Sequence, residues 1–202
     1  IRQTLFHGDA PPDLKGRICI QMGTIAPVES RDLAQAVTRA GGSYLEAPVL
    51  GSLPEARKGR LILMAGGDEA LFQRCLGLLR VLGSDPQRIG AVGQGAALKL
   101  AMNQLIAGLT ATFSLSLGLV RAEGIEVGQF MDLLRGSALY APTFDKKLPK
   151  YLSHDYAGAN FPLKHLLKDV RLFRQVSEPL GLDTAVITTL EAACIRALGK
   201  GY

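Results

Sequence analysis

The stretch from Leu100 to Val120 carries no charged residue, and it limits the folds open to this chain more than any other feature. At 1.5 Å per residue, a helix of that length reaches across a bilayer. Asn103, Gln104, Thr110, Thr112, Ser114 and Ser116 interrupt it, however. A helix apolar on nearly all sides also serves as the central helix of a soluble core or of a dimer. The polar interruptions and the charged segments that follow favour this second use, so no membrane partner is expected. With 202 residues, 48% apolar and 20% charged, the chain has ample material for a packed core.

The long run divides two patterns. Before about residue 92, short β-branched runs alternate with helical periods. "ICIQM", "SYLEAPVL", "LILMA" and "RIGAV" read as strands. "APVESRDLAQAVTRAGG" and "DEALFQRCLGLLRVLG" read as helices, the first with Pro27 near its opening turn and a glycine pair at its end. Strands alternating with helices predict a parallel sheet with crossover helices. After Gly93 the strands stop. A helix from about Gly95 to Glu123 is followed by four further helical stretches punctuated by Gly and Pro. The fold class is therefore α/β followed by all-α. The opening "IRQTLFHGDAPPDLKGR" reads as the tail of a helix and a loop feeding a strand. So few strands make a poor independent sheet, and the sequence is expected to begin mid-domain.

A net charge of +5 and a pI near 9.2 favour a small anionic substrate. The basic residues are scattered, and with no Trp and 6% aromatics there is little to stack on bases. Nucleic acid is not an expected partner. Cys19, Cys75 and Cys194 lack CxxC spacing, and His7, His154 and His165 lack metal-ligand spacing. No metal is expected, and the thiols read as reduced residues of a cytoplasmic protein, most simply as small buried hydrophobes.

Three places carry candidate chemistry. Gly93-Gln94-Gly95 follows a strand and opens a helix as a dinucleotide fingerprint does, but Leu98 stands where the third small residue belongs. The glycines then read as a tight strand-to-helix turn, and a phosphate-binding loop is expected upstream of Ile1. The loops "MGTIAP" and "VLGSLPEARKGR" follow strands at the carboxyl edge, where open α/β sheets bind ligands. Thr24 there is either a helix cap or a ligand contact; Gly51 and Ser52 belong either to an ordinary turn or to a substrate loop. Lys99 and Asn103, four residues apart, share one helix face. Desolvation disfavours a lysine's charged form, which would let Lys99 exchange a proton near neutrality. A lysine snorkelling from a long helix is the commoner arrangement, and the spacing alone leaves both open.

The ordered set "MGTIAP", "EAPVLGS", "LILMAGGDEALF", "VGQGAALKLAMNQ" and "FPLKHLLKDVRL" resembles the β-hydroxyacid dehydrogenase family over essentially the whole chain. The family includes 3-hydroxyisobutyrate dehydrogenase, and the form of the last motif is most similar to the glyoxylate/succinic semialdehyde reductase branch. The resemblance implies a partial Rossmann-type sheet followed by a helical domain like the carboxyl-terminal part of 6-phosphogluconate dehydrogenase. On that reading residues 1–93 are the end of an NAD(P)-binding domain, and 94–202 bind substrate and dimerise. It implies hydride transfer between NADP or NAD and a small β-hydroxy acid or aldehyde acid. Lys99 is then the general acid/base, and Asn103 holds the substrate and orients the lysine. Gly51 and Ser52 bind the substrate carboxylate, and Phe161 lines the pocket. Thr24 and Lys168 meet the cofactor, with Asp169 a supporting partner. The long helix becomes a subunit interface in a homodimer or homotetramer.

Two positions depart from the family pattern. Leu50 stands where many relatives carry a serine that helps bind the carboxylate, and Gly23 stands where a serine is common in the first motif, so each change removes a hydroxyl. The amino-terminal glycine fingerprint is not in this sequence, so a chain of these residues alone is expected to be inactive. Two alternatives stand beside the dehydrogenase. One is an imine reductase, against which Lys99 speaks because such relatives usually replace the lysine. The other is a non-catalytic dimerisation fragment.

Overall fold

A computed structural model describes residues 12–156, 158–159 and 161–201. The opening segment thus lies, through residue 11, outside the described residues. The chain forms two compact units, Ile1–Met102 with Gln175–Leu182, and Asn103–Arg174 with Asp183–Tyr202.

In the first unit the order is β1 (Ile18–Gln21), α1 (Pro27–Arg39), β2 (Ser43–Glu46), β3 (Val49–Leu50), α2 (Leu53–Arg57), β4 (Ile62–Gly66), α3 (Glu69–Leu82) and β5 (Gln87–Gly90). α1 begins as the sequence suggests: Pro27 needs no hydrogen-bonded N–H in a first turn, and the Glu29 carboxylate accepts from the Ala26 amide at 2.8 Å. It ends where Gly41 takes φ +81°. Asp68 caps α3 by accepting from the Leu71 amide at 2.9 Å. Leu71, Phe72, Cys75 and Leu79 form the inner stripe of α3 and pack on Leu45, Leu63 and Ala65 of the sheet. Leu33 and Val37 of α1 cover the sheet with Tyr44.

The sheet is mixed rather than wholly parallel, which corrects one expectation. β1–β2 and β4–β5 run parallel, joined through α1 and α3. β4 runs antiparallel to both β2 and β3. A parallel crossover usually runs through a helix that spans the sheet, and the connection into β4 holds only the five-residue α2. The run "SYLEAPVL" also splits into two strands at Ala47-Pro48, where proline has no N–H to give a ladder. β2 meets β4 at one residue pair, Glu46 and Gly66.

After β5 comes α4 (Gln94–Ala122), which leads into the second unit; α5 (Val127–Arg135), α6 (Pro142–Ser153), α7 (Leu163–Ser177), a 3-10 turn (Glu178–Leu180) and α8 (Ala185–Gly199) follow. α4 is long and apolar enough to cross a membrane by length and composition. Within the second unit Phe113 and Leu117 pack with Met131 of α5 and Phe144 of α6, the Phe113 and Phe144 rings stacking 4.7 Å apart. Ala107 packs with Val170 of α7 and Ile187 of α8. On the uncovered side Leu105, Leu109, Leu115 and Leu119 are exposed.

Candidate active site

The carboxyl end of β2 holds a buried acid that sequence reasoning missed. Glu46 is only 2% exposed. Its Oε1 accepts from the amides of Gly93 and Gly95 at 2.8 Å each and of Ala96 at 3.2 Å. Oε2 accepts from the Ser30 hydroxyl, which lies 2.9 Å from the Tyr44 hydroxyl. A carboxylate only accepts, so the order of donation runs from Tyr44 to Ser30 to Glu46. Burial foremost, helped by the Glu46 charge, pushes the Tyr44 phenol up to about 12, so the phenol keeps its proton at neutral pH. A helix N-terminus carries unsatisfied N–H groups and a partial positive charge. At α4 these are satisfied from within the chain. The Gly93-Gln94-Gly95 turn is therefore occupied by an internal carboxylate where a fingerprint would hold a phosphate.

Lys99 lies in the second turn of α4 and is 8% exposed. Little of its side chain is left in water, unlike a lysine that snorkels from a surface helix. Two loops leave the carboxyl ends of β1 and β3 in the same unit. Thr24, half-buried, follows β1, and the cap of α1 is made at Ala26, not at Thr24. Gly51 takes φ +134°, which favours glycine. The expected long loop after it contains α2, whose first turn Ser52 caps: the Ser52 amide and hydroxyl donate to Glu55 Oε2 at 2.6 and 2.5 Å. The Ser52 donors thus already serve a carboxylate of the chain. Leu50 ends β3, half-buried, and Gly23 is exposed.

Asn103, one turn past Lys99 on α4, is 3% exposed, and its Nδ2 donates to Asp169 Oδ2 at 2.6 Å. Asp169 is as deeply buried, on α7. The half-exposed Lys168 places Nζ 2.8 Å from Asp169 Oδ1, an ion pair whose geometry falls outside a directed hydrogen bond. An isolated buried carboxylate is costly, and here Asn103 and Lys168 supply its partners. Phe161 lines a cavity of about 700 Å³ inside the helical unit, with Ile106, Thr110, Tyr151, Leu190 and Cys194. Asn103 does not border that cavity. Burial, with the charges of Lys146 and Lys150, lowers the proton affinity of Lys147 at its edge.

The fold defines a class: a Rossmann-type α/β unit whose last strand feeds a long helix, continued by a helical unit. Residues 2–94 match the family described as NAD binding domain of 6-phosphogluconate dehydrogenase, and residues 93–201 that described as NAD-binding of NADP-dependent 3-hydroxyisobutyrate dehydrogenase. The chain belongs to the β-hydroxyacid dehydrogenase family. It is 36% identical to glyoxylate/succinic semialdehyde reductase 1 of Arabidopsis thaliana over 92% of this chain and 63% of that protein. It is 29% identical to the cytokine-like nuclear factor N-PAC of Xenopus tropicalis over 90% of this chain and 34% of that one. The crystal structure of 3-hydroxyisobutyrate dehydrogenase from Salmonella typhimurium aligns with a TM-score of 0.85 at 26% identity, covering all of this chain and 70% of that one. The chain thus spans less than two thirds of the length of these curated relatives.

Proposed function

We propose that the protein carrying this chain is an NAD(P)-dependent oxidoreductase acting on a small aldehyde acid or β-hydroxy acid of the glyoxylate or succinic semialdehyde type. The observation that carries this reading is the buried Lys99, one helical turn from the buried Asn103, in a chain of this family. What these residues offer a nicotinamide cofactor is the Thr24 hydroxyl and the half-exposed Lys168 ammonium. The amides of Gly93, Gly95 and Ala96, taken by Glu46, offer its phosphates no cradle. When bound, the nicotinamide supplies or takes the hydride. Lys99 gives its ammonium proton to the carbonyl oxygen during reduction and takes the hydroxyl proton back during oxidation. Asn103, held by Asp169, presents its remaining amide atoms to the substrate. Gly51 and Ser52 bind the substrate carboxylate once Ser52 exchanges Glu55 for it. Phe161 belongs to the apolar wall.

The test is turnover of glyoxylate and succinic semialdehyde with NADPH and with NADH in the intact protein, beside Lys99→Ala. Lys99→Ala is expected to abolish turnover while circular dichroism and sedimentation stay unchanged. Surviving activity would remove Lys99 from the mechanism.

The exposed leucines of α4 support a homodimer or homotetramer through the helical unit. The polar residues along α4 favour a second copy over lipid. The likeness to a nuclear factor supports a second reading, a non-catalytic assembly module. In that case the intact protein dimerises but turns over neither aldehyde acid with either cofactor.

A further inference from the structure

We propose that Glu46 is a positioning residue for Lys99: its carboxylate bolts the first turn of α4 to the centre of the sheet and so sets where the lysine points. This rests on the reading of Lys99 as the proton donor.

The anchor is built at both ends. Glu46 ends a strand flanked on both sides, pairing with Gln21 of β1 and with Gly66 of β4. Both of its oxygens are committed, Oε1 to three amides and Oε2 to Ser30. The surroundings leave room for this one group. A Cβ on Gly66 would collide with Oε1, and one on Gly95 would collide with the Met64 carbonyl and crowd Oε1 at 3.1 Å. Gly93 turns into the helix at φ +98°.

Ala96, the last amide held, precedes Lys99 by three residues, less than one turn. A helix transmits the position and rotation of its first turn to the next, because each residue adds a set rise and a set angle. With three of its first donors on one oxygen, α4 can neither slide along its axis nor roll without breaking charge-assisted hydrogen bonds. The same strand end also carries the candidate loops. The Ala47 amide donates to the Gln21 carbonyl at 2.8 Å and the Met64 amide to the Pro48 carbonyl at 3.0 Å. Thr24 lies three residues beyond Gln21, and Ser52 six beyond Glu46. One carboxylate therefore ties the lysine to the loops that would present cofactor and substrate.

Glu46→Gln keeps the shape and removes the charge; Ser30→Ala, which releases Oε2 alone, is the milder variant read in the same way. Both are compared with the wild type in the intact protein, at a temperature where circular dichroism shows each fully folded. Displacement of a catalytic group by about 1 Å costs about 100-fold in rate. The expected result is a kcat lower by about 10- to 100-fold with the cofactor KM unchanged. It comes with a moved NMR signal of the Lys99 ε-methylene, assigned by its loss in Lys99→Arg. Lower thermal stability with kcat and the Lys99 signal both unchanged overturns the proposal, since the anchor is then structural only. If the wild type reduces no aldehyde acid with either cofactor, the oxidoreductase reading fails. The Lys99 signal alone then decides: moved in Glu46→Gln, it supports the anchor, and unmoved, it overturns it.

Discussion

The side-chain amide of Asn103 donates to Oδ2 of Asp169 across 2.6 Å, joining α4 to α7 over 66 positions of sequence. The partner of a buried side-chain amide matters more than its own polarity. Replacing Asp169 with Ala leaves the Asn103 donor buried and unsatisfied, at a cost of about 1–3 kcal/mol. Asp169→Asn keeps an acceptor for Asn103 but loses the pair with Lys168, so it should cost less. Urea unfolding of the two variants reads the difference. Equal costs would show that Asp169 matters through its charge rather than through Asn103.

Two glycines of helices should respond in opposite ways to alanine. Gly95 abuts the Met64 carbonyl and Glu46, so Gly95→Ala forces a shift of backbone against backbone, costing about 1–3 kcal/mol as other overpacked sites do. Gly77 is exposed in the middle of α3 with nothing within 4 Å of an added Cβ. Gly77→Ala should stabilise by about 0.5–1 kcal/mol through the unfolded chain. Thermal melts of both check the signs.

Glu191 of α8 accepts from Arg171 Nε and lies against Arg174, both of α7, at 2.9 Å each. The Arg171 hydrogen bond foremost, against the opposing effect of burial and with the Arg174 charge adding, holds its carboxyl below the ordinary 4.5. A carboxyl lowered in the folded state binds fewer protons there than in the unfolded chain. Its stabilisation is therefore present above the ordinary value and lost as pH falls through the lowered one. Glu191→Gln should thus lower stability at neutral pH and flatten its fall below about pH 5. Urea midpoints across that range test it; an unchanged slope would remove Glu191 from the acid response.

Leu115 is 78% exposed and Leu119 lies one turn further along the same stripe of α4. If this stripe meets a second copy, Leu115→Lys with Leu119→Lys should shift sedimentation to the monomer while helical content is kept. A dimer that persists would place the interface elsewhere.

The sequence shows some of these features and hides others for physical reasons. α4 is legible because a long uncharged run has few other uses. α1 and α3 are legible because Pro27, Asp68 and their apolar stripes mark start and face. α2 is not, since "LPEARKG" carries turn residues and only its Ser52–Glu55 capping box betrays a helix. The antiparallel course of β4 goes with a connection that holds only the short α2, which residue pattern does not mark. Lys99 and Asn103 can be paired on one face by counting. Asp169 and Glu46 cannot be paired with their partners that way, because those contacts join distant positions. The one local signal for Glu46 was an acid ending an otherwise apolar strand, with two glycines opening a helix further on.

The carboxylate on the α4 turn also bears on how such a chain can diverge. Gly66 and Gly95 are required on two counts: a Cβ on Gly66 would meet both Glu46 Oε1 and the Ala91 carbonyl, and one on Gly95 would meet the Met64 carbonyl beside that same oxygen. A change at either glycine leaves a clash, and a change at the acid leaves a set of bare amides. A relative that loses the acid is therefore expected to keep both glycines, which the backbone carbonyls still demand, and to open at that turn a seat for an anion.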